Sequence, residues 1–470
     1  MTLPAKPAPE AAETPRTYSI SDPAGTVIGT QSEQQIATPE SITHTRIRTM
    51  SFTIDGHEPI RQDIAVSFAL TAENGAPLSY SVAYEGSKGP GSYAVRIVGE
   101  LATIIQERGE TRREYSQAIK PGIPLHDPEL IGTPAPGRYY TFDIARGRLV
   151  ERTSRSIALP QGNLPYREAV VTYDRGSPIS IWLAQRAWDG RLIAMIRPQV
   201  GSRFSFIPVA DGAEPPKPKR SGQIPHPMLE SPNVISQSAR KGHIRYRIEM
   251  LAELAGDIPT TPEQLVKQQG SGVQIDVCAQ CGAGFANDPA SLERWRQPSP
   301  WIQSDHPPIA KAAARGGKRD ISDADKMRFL ARIARQRLKD IDLNGHYSAR
   351  SAWERRAGDC TEDAVLLAAL ARAAGIPARV ASGLAYTRER YHGTRNAFIP
   401  HAWVIVYLDG QWRSYDMTTP EGFGAGHIAL SINDGEAHRI AGANLIAGMI
   451  EWESLSLIRK RPMGESEPAR

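Results

Sequence analysis

The sequence predicts an α+β protein: an antiparallel β region comes first, and a unit built round one buried helix follows. Two observations carry this. From about residue 17 to 208, short β-type runs alternate with turn signals. Beyond about residue 300 the apolar residues take helical spacing, and an Ala/Leu run at 364–374 is apolar on nearly every face. At 470 residues the chain suggests two or three domains, on a scale of roughly 100–200 residues each.

Residues 1–16 are Ala/Pro/Glu-rich and offer nothing to bury against the entropy of ordering, so they are expected to be disordered. They hold no apolar leader. Two readings follow: a cytoplasmic chain, or the mature form of an exported one. Residues 17–210 read as antiparallel β, a sandwich or an open barrel. "DIAVSFAL" ends near Asn74-Gly75, and Asp189-Gly190 divides two apolar runs; such pairs mark hairpins. No catalytic cluster stands out here. Residues 211–235 are Pro-rich and charged, a linker or long loop. Residues 236–298 hold two more strands, "HIRYRIEM" and "SGVQIDVCAQCG". Residues 299–470 form the last unit. In it "SDADKMRFLARIARQRLKDI" carries Met327, Leu330, Ala331, Ala334, Leu338 and Ile341 at helical spacing, and Ser322 with Asp325 is an S-x-x-D start signal.

The net charge is only +5, with no Lys/Arg run interleaved with aromatics, which argues against a nucleic-acid partner. No apolar run reaches the roughly 18 residues of a membrane span. Three cysteines cannot frame a disulfide scaffold, although one bond can form.

One of the three, Cys360, stands at the start of the apolar helix in "AGDCTEDAVLLAALARAAGIPARV". Gly375 and Pro377 stop that helix. Unpaired N–H groups and the helix dipole favour an anion at such a start. The thiolate is the reactive form of cysteine, and the same N–H groups can hold an oxyanion. On position alone Cys360 is equally a small buried hydrophobe. A base decides between the two.

"IPHAWVIVYLDGQWRSYDMTTP" supplies one. Asp409-Gly410 is a two-residue turn between strand-like runs, so Leu408 pairs with Gln411. His401 then faces Thr418, with Asp416 as its diagonal neighbour on the same face, within reach at roughly 7–8 Å between backbones. A base and its orienter need this placement. A slip of one residue would put them on opposite faces.

The segments "RRAGDCTEDAVLLAALARAAGIPARVASGLAY" and "HAWVIVYLDGQWRSYDMTTP" resemble the transglutaminase-like superfamily of papain-type cysteine enzymes, over about residues 300–430. The resemblance implies a central helix packed on an antiparallel sheet, with Cys360 as nucleophile, His401 as general base and acid, and Asp416 as orienter. It implies no cofactor. Papain itself carries its histidine about 130–150 residues downstream, so papain proper does not fit. The expected activity is acyl chemistry on amide bonds of a peptide or protein substrate through a thioester, ending in hydrolysis or transfer to an amine. The alternative is a non-catalytic scaffold whose β region binds a partner. More loosely, the layout resembles bacterial envelope proteins with a β-rich N-terminal region, touching "WIQSDHPPIAKAAA" and "HIALSINDGE" as well. That implies the periplasm or cell envelope. Tyr347, Trp353 and Trp403 are candidate substrate-side residues, the first two also candidate oxyanion partners.

Cys278 and Cys281 form one C-x-x-C. A structural zinc site needs four ligands, and His306, the nearest downstream histidine, is too far for finger spacing. The pair stays open between a disulfide or inert thiols, half of a zinc site, and a redox couple. His346, His392 and His427 are read as solvated loop histidines, with a substrate-side role as the alternative. The Arg-rich loop 387–399 is read as solvated too, or as an overhang favouring anionic substrates.

Overall fold

The computed structural model describes residues 14–458 apart from 55–59, 86–88, 132–136, 145, 160–165, 188, 200–201, 219–221, 225–227, 251, 270–271, 318–321, 341–345, 390–393 and 419–421. Ile341, His392 and residues 1–13 of the expected disordered start lie outside the described residues. The chain divides into two compact units, Met1–His226 and Pro227–Arg470.

The first unit is one fifteen-stranded sheet. Its first strand, Arg16–Ser21, lies mid-sheet. From there the chain steps outward, strand beside strand, to Thr111–Ala118. It restarts at the other end with Arg138–Asp143 and steps back to Ser202–Pro208, which pairs with the first strand. Asn74-Gly75 and Asp189-Gly190 both lie in hairpin connections, as their sequence predicts, and both glycines have positive φ. The sheet curls: Gln117 near one end exchanges two side-chain hydrogen bonds with the Leu149 backbone near the other, at 2.8 and 3.0 Å. Val82 and Ile104 from one arm share a core with Tyr140, Phe142 and Leu149 from the other. Antiparallel strands whose two arms meet over shared core residues in this way make an open barrel, one of the two expected forms.

The second unit is the α+β part. Helix Cys360–Ala373 is buried on nearly every side, which is why its sequence is apolar all round. Its one cation, Arg372, is buried too, and donates to the carbonyls of Gln297 and Ala378 and to Asp434. Those acceptors offset its desolvation. Helices Pro307–Gly317, Asp323–Arg337 and Ala349–Arg355 surround it. Ser322 caps the second of these, accepting from the Asp325 N–H at 3.1 Å, as the S-x-x-D pattern predicts.

The central helix packs on an antiparallel sheet in which Ala378–Thr387 lies between Ala397–Leu408 and His427–Asn433. Alternate residues Ala402, Val404, Val406 and Leu408 meet the helix, while Trp403 and Ile405 pack on the other side. Asp409 and Gly410 both have positive φ, the two-residue turn that joins Leu408 to Gln411 in register. A second sheet has the order Gln264–Gln269, Gly272–Val277, Ile244–Glu249, Glu451–Leu457. The C-x-x-C segment therefore belongs to this unit.

Candidate active site

The site begins at the N-terminus of the central helix. Asp359 is its N-cap, and its side chain accepts from the Thr361 N–H at 2.8 Å. Glu362 completes a capping box by accepting from the Asp359 N–H at 3.0 Å and from the Tyr347 N–H at 2.8 Å. The cap thus takes the N–H groups of Thr361 and Glu362 and leaves that of Cys360, the first residue of the helix, beside its own half-buried thiol. Glu362 is fully buried; burial first, then the charge of Asp359, pushes its carboxyl up to about 8. Burial, with Asp340 and Asp359 adding to it, pushes Asp363 up to about 7. Burial thus disfavours the charged forms of both carboxyls, which lie in the first turn with Cys360.

His401 comes from strand Ala397–Leu408. The ladder to Gln411–Tyr415 runs from Leu408–Gln411 to Val404–Tyr415, so Asp416 lies just past its end. The register is the predicted one. His401 Nε2 stands 2.9 Å from Asp416 Oδ2 and 3.1 Å from Thr418 Oγ1. With Nε2 so engaged, Nδ1 remains for the thiol. His401 also lies beside the Cys360 thiol, near enough for the thiol to influence its protonation. Burial alone would lower the imidazole. The charge and hydrogen bond of Asp416, followed by the influence of Cys360, outweigh it and raise the group from 6.5 to about 10. In Asp416 burial is again the largest influence and raises the carboxyl; His401 and His427 together overcome it and hold Asp416 well below the carboxylate range. Thr418 donates to the other Asp416 oxygen through its N–H and its hydroxyl, both at 2.8 Å.

Cys360, His401 and Asp416 are thus brought together, with His401 hydrogen-bonded to Asp416. The family model of the transglutaminase-like superfamily matches residues 311–417, a span that contains all three. Residues 311–417 are a transglutaminase-like core. Among solved structures, a candidate cysteine protease from Cytophaga hutchinsonii is 16% identical, covering 46% of this chain and 85% of its own, with a TM-score of 0.29. A β-barrel-like protein of a domain of unknown function from Brucella abortus is 13% identical, covering 42% and 95%, with a TM-score of 0.29. The periplasmic domain of TgpA from Pseudomonas aeruginosa is 17% identical, covering 42% and 76%, with a TM-score of 0.28. No curated protein gives a match.

The transglutaminase-like core has a fourth partner outside the matched span. His427, expected as a solvated loop residue, is 6% exposed. Its Nε2 stands 2.9 Å from Asp416 Oδ2, the oxygen that also faces His401. The sequence signal was present: "HIALSIN" is strand-like and apolar, and a histidine opening it enters a sheet. His346 is also not a solvated residue. Its Nε2 lies 2.7 Å from the Gly435 carbonyl, its ring stacks on Trp301, and burial lowers its pKa. His401, Asp416 and His427 lie close enough to hold a metal ion. Their nitrogens and oxygens are already spent on one another, on Thr418 and on Gly424, so a metal would have to break that network.

Trp403 is 2% exposed and stacks behind His401 and against His427, with its indole N–H on Ser414. Its expected substrate-side role gives way to support of the two imidazoles. Tyr347 and Trp353 lie on the segment leading to Cys360, where their rings are covered by the guanidiniums of Arg355 and Arg337, at 4.1 and 4.3 Å. Among the described residues no helix is long and apolar enough to cross a membrane.

Proposed function

We propose that the second unit is a cysteine acyl enzyme acting on amide bonds of peptide-like substrates. One observation carries this reading: a thiol at the N-terminus of a buried helix, beside an imidazole whose Nε2 rests on a buried carboxylate. The Cys360 proton passes to His401 Nδ1, and Asp416 holds the resulting imidazolium. Sulfur attacks the amide carbonyl carbon, and the oxyanion develops toward the Cys360 N–H. His401 returns the proton to the leaving nitrogen, the C–N bond breaks, and a thioester remains. Water or an amine then gives up a proton to His401 and attacks the thioester, and the departing sulfur recovers its proton. The first ending is hydrolysis, the second transfer. No step calls on a cofactor. The proposed setting is the periplasm or cell envelope, on the sequence resemblance alone; fractionation of the native cell tests it.

The pH dependence of iodoacetamide labelling, mapped by peptide mass, tests the chemistry. The expected result is labelling of Cys360 that persists well below about pH 8.5, where ordinary thiols lose reactivity, and that is lost in His401→Ala. Cys281 is the internal reference, because burial, and then Cys278, pushes its thiol up to about 12. Cys360 labelling no faster than Cys281 at neutral pH would overturn the reading.

A further inference from the structure

A second cysteine–histidine cluster lies outside this machinery. In the sheet pairing of Ile244–Glu249 with Gly272–Val277, Ile244 stands opposite Val277. One step outward, the same register sets His243 opposite Cys278. Directly opposed residues of an antiparallel pair have Cβ atoms roughly 4.5–5.5 Å apart, so this contact follows from the ladder itself. Cys281 turns back over the strand end, its Sγ 3.3 Å from the Asp276 carbonyl and 3.4 Å from that of Glu263. The two sulfurs and one ring nitrogen of His243 all lie within 4.8 Å of one another, and all three residues are half-buried.

A second observation points to a ligand. His243 Nε2 is buried and has no hydrogen-bond partner. The nearest carboxylate oxygen, Asp276 Oδ1, is 4.0 Å away. That carboxylate is already committed to Arg245, which donates to both oxygens at 2.7 and 2.9 Å. A ring nitrogen buried without a hydrogen-bond partner is uncommon, and this one belongs to a histidine that lies beside two thiols.

The structure assigns to His243, Cys278 and Cys281 a three-ligand site for a borderline-soft divalent cation of the zinc class, its fourth position left to a water or an incoming ligand. Two sulfurs and an imidazole are the donor set such an ion selects. Metal–ligand bonds of about 2.0–2.3 Å place tetrahedral ligand atoms roughly 3.5–3.8 Å apart, so the side chains need close by only about an ångström. Both thiols give up their protons to the solvent on binding, and the two thiolates balance the two charges of the ion. The site also touches the brace of the catalytic strand. The Glu263 carbonyl accepts from the Cys278 N–H at 3.0 Å, while its carboxylate accepts from the N–H and hydroxyl of Ser414, two residues before Asp416.

The test is zinc titration of the reduced, chelator-stripped full chain, read by calorimetry and by metal analysis after gel filtration. The expected result is one zinc per chain with release of two protons. Cys278→Ser and Cys281→Ser should each lose the bound metal, and His243→Ala should weaken it at least tenfold. Cys360→Ala should bind as the parent does, which separates this site from the thiol of the acyl enzyme. Circular dichroism of each variant shows that it folds. No zinc retained by the folded parent would overturn the proposal, as would zinc retained undiminished in Cys278→Ser or lost in Cys360→Ala. A mass two hydrogens low in protein prepared without reductant, restored by reductant without any gain of metal binding, would assign the pair to a disulfide and overturn it as well.

Discussion

The second unit holds two places where a histidine on a strand or beside a strand end meets a cysteine, and they differ in what stands behind the imidazole. Behind His401 is Asp416, buried and itself braced by His427 and Thr418, so the imidazolium form of the ring is stabilised. Beside His243 the carboxylate of Asp276 is already neutralised by Arg245, and a ring nitrogen is left without a partner. The thiols differ as well. Cys360 opens a fourteen-residue helix, whereas Cys281 leans on three carbonyl oxygens that disfavour its anion. The same two residue types thus suit proton transfer in one place and metal ligation in the other. The carboxylate and the backbone dipoles decide which.

Variants can break or sharpen this contrast, and the largest effects fall on the acyl site. Cys360→Ala and His401→Ala should each reduce kcat/KM on an amide substrate by up to about a millionfold, as removal of a nucleophile or base does in other triads. Appreciable activity in either would dissolve the contrast. Asp416→Asn should cost less, roughly ten-thousandfold, because the base survives and only its orientation and charge support are lost. An Asp416 variant worse than His401→Ala, in the same rate assay, would reverse the assigned roles.

His427→Leu should cost about tenfold, the equivalent of one hydrogen bond to a charged group. His427→Gln, which still offers an N–H to Asp416, should recover part of it. Equal loss in both would make His427 a packing residue only.

Stability should follow pH on two arms. His401, raised to about 10, contributes stability fully present below its ordinary 6.5 and lost as the pH climbs through about 10. Asp416, held below its ordinary 3.8, contributes stability present above that value and lost as the pH falls through its lower folded value. Glu362 and Asp363, raised to about 8 and about 7, contribute stability that is lost as the pH climbs through those values, so the thermal unfolding temperature should decline from about neutral pH upward, and the part of that decline near pH 10 should shrink in His401→Ala. A further variant touches the fold alone: Leu366→Ala, fully buried in the central helix, should lower stability by about 2–5 kcal/mol in urea unfolding. Alkylation of Cys360 in the variant that remains folded should be unchanged.

Much of the acyl site was legible because it is local. The helix start places Cys360, and the Asp-Gly turn with the pairing of Leu408 with Gln411 places His401 beside Asp416, without long-range information; that the thiol meets the imidazole was an implication of the family resemblance. His427 was hidden because its bond to Asp416 depends on strand His427–Asn433 pairing with Ala378–Thr387, which no turn announces. His243 was hidden for the same reason. Metal-ligand spacing directs attention downstream of a C-x-x-C, to His306, whereas the ladder brings a residue from upstream. In the barrel the turns predict hairpins, yet the return of the sheet to its first strand follows from side-chain packing across the curl.

The second sheet has one more property. Ile244–Glu249 lies between Gly272–Val277 and Glu451–Leu457, so one of its two partners is made some two hundred residues later than itself. During synthesis that strand edge waits, unpaired, while the thiol helix and the histidine strand leave the ribosome. Pairings so distant in the chain close slowly, and an open edge is where chains associate wrongly. Completion of the second unit is therefore a late event, timed by the arrival of residues 451–457.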